Sequence, residues 1–157
     1  MLVKLSTAHQ LWESDWRHRS IAQRKAIMLK AAEILRRDKE KHARLISIEM
    51  GKILPEAIGE IELSADILAY YAQKAETFLA PRELPVSQGH ATVTSEPLGI
   101  IYCVEPWNFP YYQLARVAAP NLMAGNVVMV KHAPSVPQCA VAFAVSYTHL
   151  RAHETLR

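Results

Sequence analysis

The stretch GIIYCVEPWNFP, from Gly99 to Pro110, decides the fold because it joins a short apolar strand to a loop bounded by prolines. The run Gly99–Val104 is typical of a strand that is buried on both faces of a parallel sheet. A helix is predicted next, from about Tyr112 to Ala124. Gly125-Asn126 then supplies a turn, and Val127–Val130 is a second wholly apolar strand. Together these elements predict a right-handed βαβ unit.

The sequence before this unit predicts helices. Ser20-Ile21-Ala22-Gln23 has the pattern of a capping box, in which the Ser and Gln side chains satisfy free amides at a helix start. The charged run Arg36–Arg44 is interpreted as the solvated continuation of that helix, which Gly51 ends. A second helix follows Pro55 and is closed by Pro81.

We expect four segments. They are a helical part at residues 1–84, an exposed strand segment at 85–97 in which β-branched residues alternate, the start of the βαβ region at 98–144, and a tail at 145–157. The predicted fold class is α/β, with N-terminal helices followed by one βαβ unit of an incomplete domain.

Composition excludes several classes of function. The chain has 157 residues, half of them hydrophobic, and a net charge of +3 with acidic and basic residues interleaved, which disfavours nucleic-acid binding. Its apolar stretches are interrupted before the roughly 20 residues that a membrane span requires. The two cysteines, Cys103 and Cys139, have no Cys-x-x-Cys spacing, and we expect a reducing, cytoplasmic location.

Polar side chains follow both predicted strands. Asn108 stands in the loop after the first strand and Lys131 comes directly after the second. Because ligands of βαβ units bind beyond the carboxyl ends of the strands, these residues are candidates for a binding site. Taken singly, Trp107 can equally be core, Asn108 a turn residue and Lys131 a solvated charge.

Taken together, these motifs resemble the aldehyde dehydrogenase family over roughly Leu11 to Ala144. The resemblance rests on Glu96–Ile100, Pro106–Pro110, Ala124–Val128 and Lys131, in that order and spacing. The segment from Lys131 to Ala140 is most similar to the succinate-semialdehyde dehydrogenase branch. The implied activity is oxidation of an aldehyde, in this branch succinate semialdehyde, to the acid with NAD or NADP through a cysteine thioester.

The resemblance implies roles for individual residues. Asn108 matches the asparagine whose side-chain amide forms the family's oxyanion hole. The loop lining the nicotinamide half of the cofactor corresponds to Val104, Glu105, Pro106 and Trp107, together with Asn108. Lys131 matches the lysine on the adenosine ribose. Pro134 stands where NAD-preferring members often have a glutamate, which makes NADP admissible.

The resemblance also implies that part of the catalytic apparatus is absent. The family's nucleophilic cysteine and general-base glutamate lie further along than this chain reaches, so the chain alone is expected to be inactive. Cys103 and Cys139 are expected to be core residues. The parent enzyme is expected to be a homo-oligomer, since His90–Glu96 resembles a strand of the family's subunit-bridging hairpin.

The stretch Val145–Thr155 looks like the translation of a transposon sequencing adapter, so the last thirteen residues, 145–157, are expected to be a non-native tail. His149 and His153 have the spacing of two metal ligands on one helix face, but an adapter origin explains them and we expect no metal site. The alternative for the whole chain is a helical interaction module without chemistry, built on residues 20 to 79.

Overall fold

In the computed structural model, residues 2–148 are described, with side-chain environments for residues 3–144. Helices within this part are α1 (Leu2–Ser14), α2 (Ile21–Arg37), α3 (Lys39–Met50), α4 (Leu54–Phe78), α5 (Pro110–Met123) and α6 (Pro137–Thr148), with a short 3-10 helix at Trp16–His18. The strands are β1 (Arg82–Leu84), β2 (Ala91–Val93), β3 (Ile100–Val104) and β4 (Val127–Lys131).

Helix α2 begins as predicted but ends earlier. The Ser20 hydroxyl accepts from the Gln23 amide and the Gln23 side chain accepts from the Ser20 amide, so the capping box is confirmed. The interpretation of Arg36–Arg44 as a continuous helix is wrong, because the chain leaves helical geometry at Asp38 and starts again as α3. The break lets Ile46 of α3 join the buried core that α2 and α4 share.

Helix α4 is the central element of the helical part. Gly51, with φ of +78°, ends α3 in the left-handed conformation that glycine adopts without strain. Pro55 then lies in the first turn of α4, where its missing amide hydrogen is not needed. The buried face of α4 recurs at steps of three and four residues and packs mainly against α2, α5 and α3. It carries mostly apolar residues, with Glu60 and Ser64 among them.

The strands form two separate pairs. β1 and β2 make an exposed antiparallel hairpin, and β3 and β4 pair in parallel with α5 as the connecting helix. The predicted α/β class with one βαβ unit is therefore confirmed. Helix α5 begins at Pro110 rather than at Tyr112, because Pro110 is suited to the first helical position.

Strand β3 differs from the prediction in its burial. The side chains of Tyr102 and Val104 are 51% and 62% exposed, so the strand is not buried on both faces. A two-stranded sheet with a helical layer packed against it covers only one face of each strand. The apolar composition of β3 therefore leaves an open apolar surface in this chain.

The turn between α5 and β4 fixes the sheet register. The buried Asn126 side chain accepts from the Gly99 amide at 2.9 Å, and the Val127 amide donates to the Gly99 carbonyl at 2.8 Å. The Trp12 indole donates to the Gly125 carbonyl at 3.0 Å, which attaches α1 to the same turn. Both strands therefore begin at the same hydrogen-bonded turn, and their carboxyl ends lie side by side.

Two predictions concern the tail, namely its non-native origin and the absence of a metal site at His149 and His153, and most of the tail lies outside the described residues. Helix α6 continues through Thr148, whereas His149 and His153 lie outside the described residues. Among residues 2–148 there is no cluster of three or more His, Cys, Asp or Glu side chains suited to a metal ion. None of the helices in that range is both long and apolar enough to cross a membrane.

Candidate cofactor and oxyanion site

The candidate site lies where the two parallel strands end. Val104 pairs with Lys131 in register, and the Glu105 amide donates to the Lys131 carbonyl at 3.1 Å. The loop that leaves β3 carries Trp107 and Asn108, and both residues are exposed, as is Lys131. The interpretation of Trp107 as a core residue is wrong, since its side chain is 53% exposed. The predicted site residues therefore share one open edge of the sheet.

Two buried side chains that had no predicted role, Lys52 and Glu60, anchor the loop that carries Asn108. The Lys52 ammonium donates to the Asn108 carbonyl at 3.0 Å and is also paired with the Glu60 carboxylate. Glu60 in turn accepts from the Tyr111 amide at 2.8 Å and the Tyr112 amide at 3.2 Å. A sequence signal did exist, because Glu60 stands on the apolar stripe of α4 at helical spacing from Ala57 and Ser64.

His132 connects the end of β4 to the start of α5. Its Nδ1 atom accepts from the Ala133 amide at 2.8 Å, so the proton of the neutral ring is on Nε2, which donates to the Pro110 carbonyl at 3.1 Å. Burial lowers the pKa of His132, although the bond to Pro110 opposes this shift. The residue beside Lys131 is therefore a neutral hydrogen-bond donor at neutral pH.

Helix α6 starts close to the same edge, but its amino terminus is already occupied. The Glu49 carboxylate accepts from the Gln138 amide at 2.8 Å and the Cys139 amide at 2.9 Å. Free amides at a helix start are what a phosphate group binds, and here a carboxylate of the same chain takes that place. Lys131 is an exposed basic side chain at the strand ends, and Pro134 and Ser135 lie exposed on the segment that follows it.

Glu105 is half-buried at the base of the loop. Burial raises the pKa of its carboxyl group, and the charge of Arg116 acts in the opposite direction. Glu105 is therefore easier to protonate than an exposed glutamate would be.

Neither cysteine resembles an activated nucleophile. Cys103 donates from Sγ to the Met129 carbonyl at 3.4 Å, and burial, helped by the charge of Glu105, raises the pKa of the thiol to about 11. Cys139 is fully buried, and its pKa is raised mainly by that burial. Since the thiolate is the nucleophilic form of cysteine, both residues are inert at neutral pH.

Comparison with known proteins identifies the family of the chain. The model of the aldehyde dehydrogenase family matches residues 4–151, and the chain therefore belongs to the aldehyde dehydrogenase family. The match begins before Leu11 and ends after Ala144, so it is wider than the resemblance predicted from the motifs. Membership of this enzyme family argues against the alternative, a helical interaction module without chemistry.

Individual relatives place the chain near one branch of the family. It is 48% identical over 128 residues to a succinate-semialdehyde dehydrogenase [NADP(+)] of Deinococcus radiodurans, covering 82% of this chain and 27% of the relative. Over 142 residues it is 45% identical to a probable succinate-semialdehyde dehydrogenase [NADP(+)] of Synechocystis, covering 90% of this chain and 31% of the relative. The chain thus spans under a third of the length of these relatives.

Solved structures show the same fold. The structure of succinic semialdehyde dehydrogenase from Streptococcus pyogenes with NADP+ superimposes with a TM-score of 0.92 at 42% identity, covering 97% of this chain and 33% of that one. That of Gox0499, described for its cofactor and substrate selection, gives a TM-score of 0.95 at 58% identity, with coverages of 99% and 34%. The βαβ unit described above is therefore a portion of the aldehyde dehydrogenase fold.

Proposed function

We propose that this chain forms part of an enzyme that oxidises succinate semialdehyde to the acid with NADP+ or NAD+. The observation that carries the proposal is the meeting of Asn108 and Lys131 at adjacent strand ends, in a chain of this family. The names of the Deinococcus and Synechocystis relatives support the choice of substrate and of NADP+. The exposed β1–β2 hairpin supports assembly of the enzyme as a homo-oligomer through that surface.

Asn108 is proposed to supply the oxyanion donor. Its side chain is exposed at the strand ends while its carbonyl is fixed by Lys52, so the residue is held without being enclosed. A neutral amide in that position can donate to the oxygen of an aldehyde as negative charge develops there. Preorganised donors of this kind contribute about 3 to 4 kcal/mol to stabilising a transition state.

The residues around Asn108 fit a dinucleotide. Val104, Glu105, Pro106 and Trp107 would line the nicotinamide half, and the Lys131 ammonium would bind the hydroxyls or phosphate of the adenosine ribose. When bound, NADP+ supplies the acceptor for the hydride that leaves the substrate. Pro134 brings no carboxylate towards a 2′-phosphate, which is consistent with NADP+ as the cofactor.

A hybrid enzyme tests the proposal. Residues 1–144 would replace the matched segment of the Deinococcus relative, and oxidation of succinate semialdehyde would be followed by formation of NADPH. We expect activity, and we expect Asn108→Ala to lower kcat about 10²- to 10³-fold while the KM for NADP+ changes little. Asn108→Asp is the matched control: it keeps the shape but cannot donate, so it should be impaired at least as much.

Two results would count against the proposal. A folded hybrid that binds NADP+ but does not oxidise succinate semialdehyde contradicts the proposed substrate. An Asn108→Ala hybrid with unchanged kcat contradicts the proposed role of Asn108. Circular dichroism and NADP+ titration of each hybrid separate these results from a failure to fold.

A further inference from the structure

A buried ion pair lies directly beneath the candidate oxyanion loop. Lys52, in the connection between α3 and α4, pairs with Glu60 of α4, and their side chains are only 8% and 1% exposed. Removing two charges from water is strongly unfavourable, and their mutual attraction offsets this only with good geometry and further hydrogen bonds. The additional contacts of the pair therefore indicate what it does.

The further hydrogen bonds and the ring contact of the two side chains are with the stretch from Asn108 to Tyr112. The Lys52 ammonium donates to the Asn108 carbonyl at 3.0 Å and lies 3.7 Å from the centre of the Phe109 ring. The Glu60 carboxylate accepts from the amides of Tyr111 and Tyr112. Two side chains from the helical part thus hold both sides of the turn into α5.

Helix α5 needs such an acceptor because its own start provides none. Phe109 precedes the helix and makes no side-chain cap, so the first amides of α5 lack an acceptor from the usual capping position. Glu60 supplies the missing acceptor from another helix, and its negative charge is favourable at a helix amino terminus. Lys52 balances that charge and extends the same contact network to Asn108.

We propose that Lys52 and Glu60 are positioning residues that set the orientation of Asn108 for catalysis. This inference rests on the proposed function, in which the Asn108 amide is the oxyanion donor. Lys52 fixes the carbonyl of Asn108, and Glu60 fixes the amides of Tyr111 and Tyr112 in the first turn of α5. The backbone from the Asn108 carbonyl to the first turn of α5 is thereby defined before a substrate binds.

The test uses the 157-residue chain labelled with 15N. Lys52→Met with Glu60→Gln removes both charges together, so no unpaired charge is left buried. The matched control is Lys39→Met with Glu62→Gln, which removes an ion pair of the same residue types between α3 and α4 at an exposed position. Lys52→Arg keeps the positive charge and serves as the conservative variant.

Amide exchange and NMR shifts report on the loop without any catalysis. We expect the buried double variant to speed hydrogen exchange of the Tyr111 and Tyr112 amides about tenfold to a hundredfold, as for lost bonds to a charged group. The side-chain amide signals of Asn108 should shift and broaden. The exposed double variant should change neither readout, and Lys52→Arg should largely retain the protection of Tyr111.

Other outcomes overturn the inference. Unchanged exchange at Tyr111 and Tyr112 in the buried double variant shows that the pair does not hold the loop. Exchange that rises equally at the core amides of Leu35 and Leu68 shows a general loss of stability instead. If the double variant does not fold, Glu60→Gln alone decides. Its neutral amide oxygen accepts more weakly than the carboxylate, so unchanged exchange and unchanged Asn108 signals there also overturn the inference.

The inference and the proposed function fail in distinguishable ways. If Asn108→Ala leaves the kcat of the hybrid enzyme unchanged, the catalytic role of Asn108 is refuted, but the hydrogen-exchange result still stands. Conversely, a hybrid can require Asn108 for activity and still keep its kcat when Lys52 and Glu60 are substituted. That outcome refutes only the positioning role.

Discussion

The Nε2 atom of His132 lies 3.1 Å from the carbonyl oxygen of Pro110, and this bond joins the end of β4 to the first residue of α5. Lys131 directly precedes His132, and Asn108 lies two residues before Pro110. The distance between the proposed ribose-binding residue and the proposed oxyanion donor is therefore set in part by a neutral histidine. Protonation of His132 forces the Nδ1 atom to carry a hydrogen that opposes the Ala133 amide.

The free energy of unfolding should fall as the pH is lowered from 7 to 5. Burial lowers the pKa of His132 and of His42 in the folded chain, so the unfolded chain binds more protons in this range. Their contribution to stability is complete above the unfolded pKa of about 6.5 and is lost as the pH falls below it. Urea unfolding at several pH values measures the slope of the unfolding free energy against pH.

His132→Gln should reduce that slope, because glutamine does not titrate. His90→Gln is the matched control, since His90 is exposed on the loop between the strands of the hairpin. The absolute stability of each variant can differ, and only the pH dependence matters. A His132→Gln chain with the wild-type slope would show that His132 does not contribute to the pH dependence of stability.

Local sequence signals explain how much of the fold could be predicted. The capping box at Ser20, the glycine at Gly51 and the apolar strands around Pro106–Pro110 each act over a few residues, and each was recognised. The break at Asp38 was missed because charged residues on both sides of it suit a helix equally well. Its cause is the packing of α3 on α4, which the order of residues does not reveal.

The candidate site could likewise be predicted only where local sequence signals exist. Asn108 and Lys131 could be predicted because they follow two recognisable strands, whereas Lys52 and Glu60 form hydrogen bonds across 56 and 51 residues of sequence, respectively. Glu60 offered one clue, a charge on an otherwise apolar helical stripe. Its partners could only be found in three dimensions, since nothing in the sequence says which helix start that charge meets.

The 157-residue chain by itself should not oxidise succinate semialdehyde. Oxidation through a thioester requires a thiolate, but the partial burial of Cys103 and the full burial of Cys139 raise the pKa of both thiols. Absorbance of NADPH at high protein concentration, with and without NADP+, measures any turnover. Turnover that disappears in a Cys103→Ala variant would identify a nucleophile in this chain and contradict the expectation.

In the hybrid enzyme, Pro134→Glu should shift cofactor preference from NADP+ towards NAD+. A carboxylate there would repel a 2′-phosphate and could accept from a ribose hydroxyl, and one charged contact corresponds to about tenfold or more in kcat/KM. Pro134→Gln is the matched control, with a similar size but no charge. Equal ratios of kcat/KM for the two cofactors in both variants would place the selection at another position.

The last prediction concerns the turn that fixes both strand starts. Gly125 has φ of +94°, and a Cβ there would lie 3.2 Å from Nη1 of Arg24 and 3.5 Å from the ring of Pro97. Arg24 is buried and its Nη1 donates to the Arg19 carbonyl at 2.7 Å, so it has little freedom to move. Gly125→Ala should therefore lower the free energy of unfolding by about 1 to 3 kcal/mol. Gly59→Ala is the control: Gly59 is helical, a Cβ there meets nothing within 4 Å, and the change should stabilise the chain by up to about 1 kcal/mol. Urea unfolding of the two variants beside the parent chain gives both values, and an equal response to the two substitutions would refute the strain assigned to Gly125.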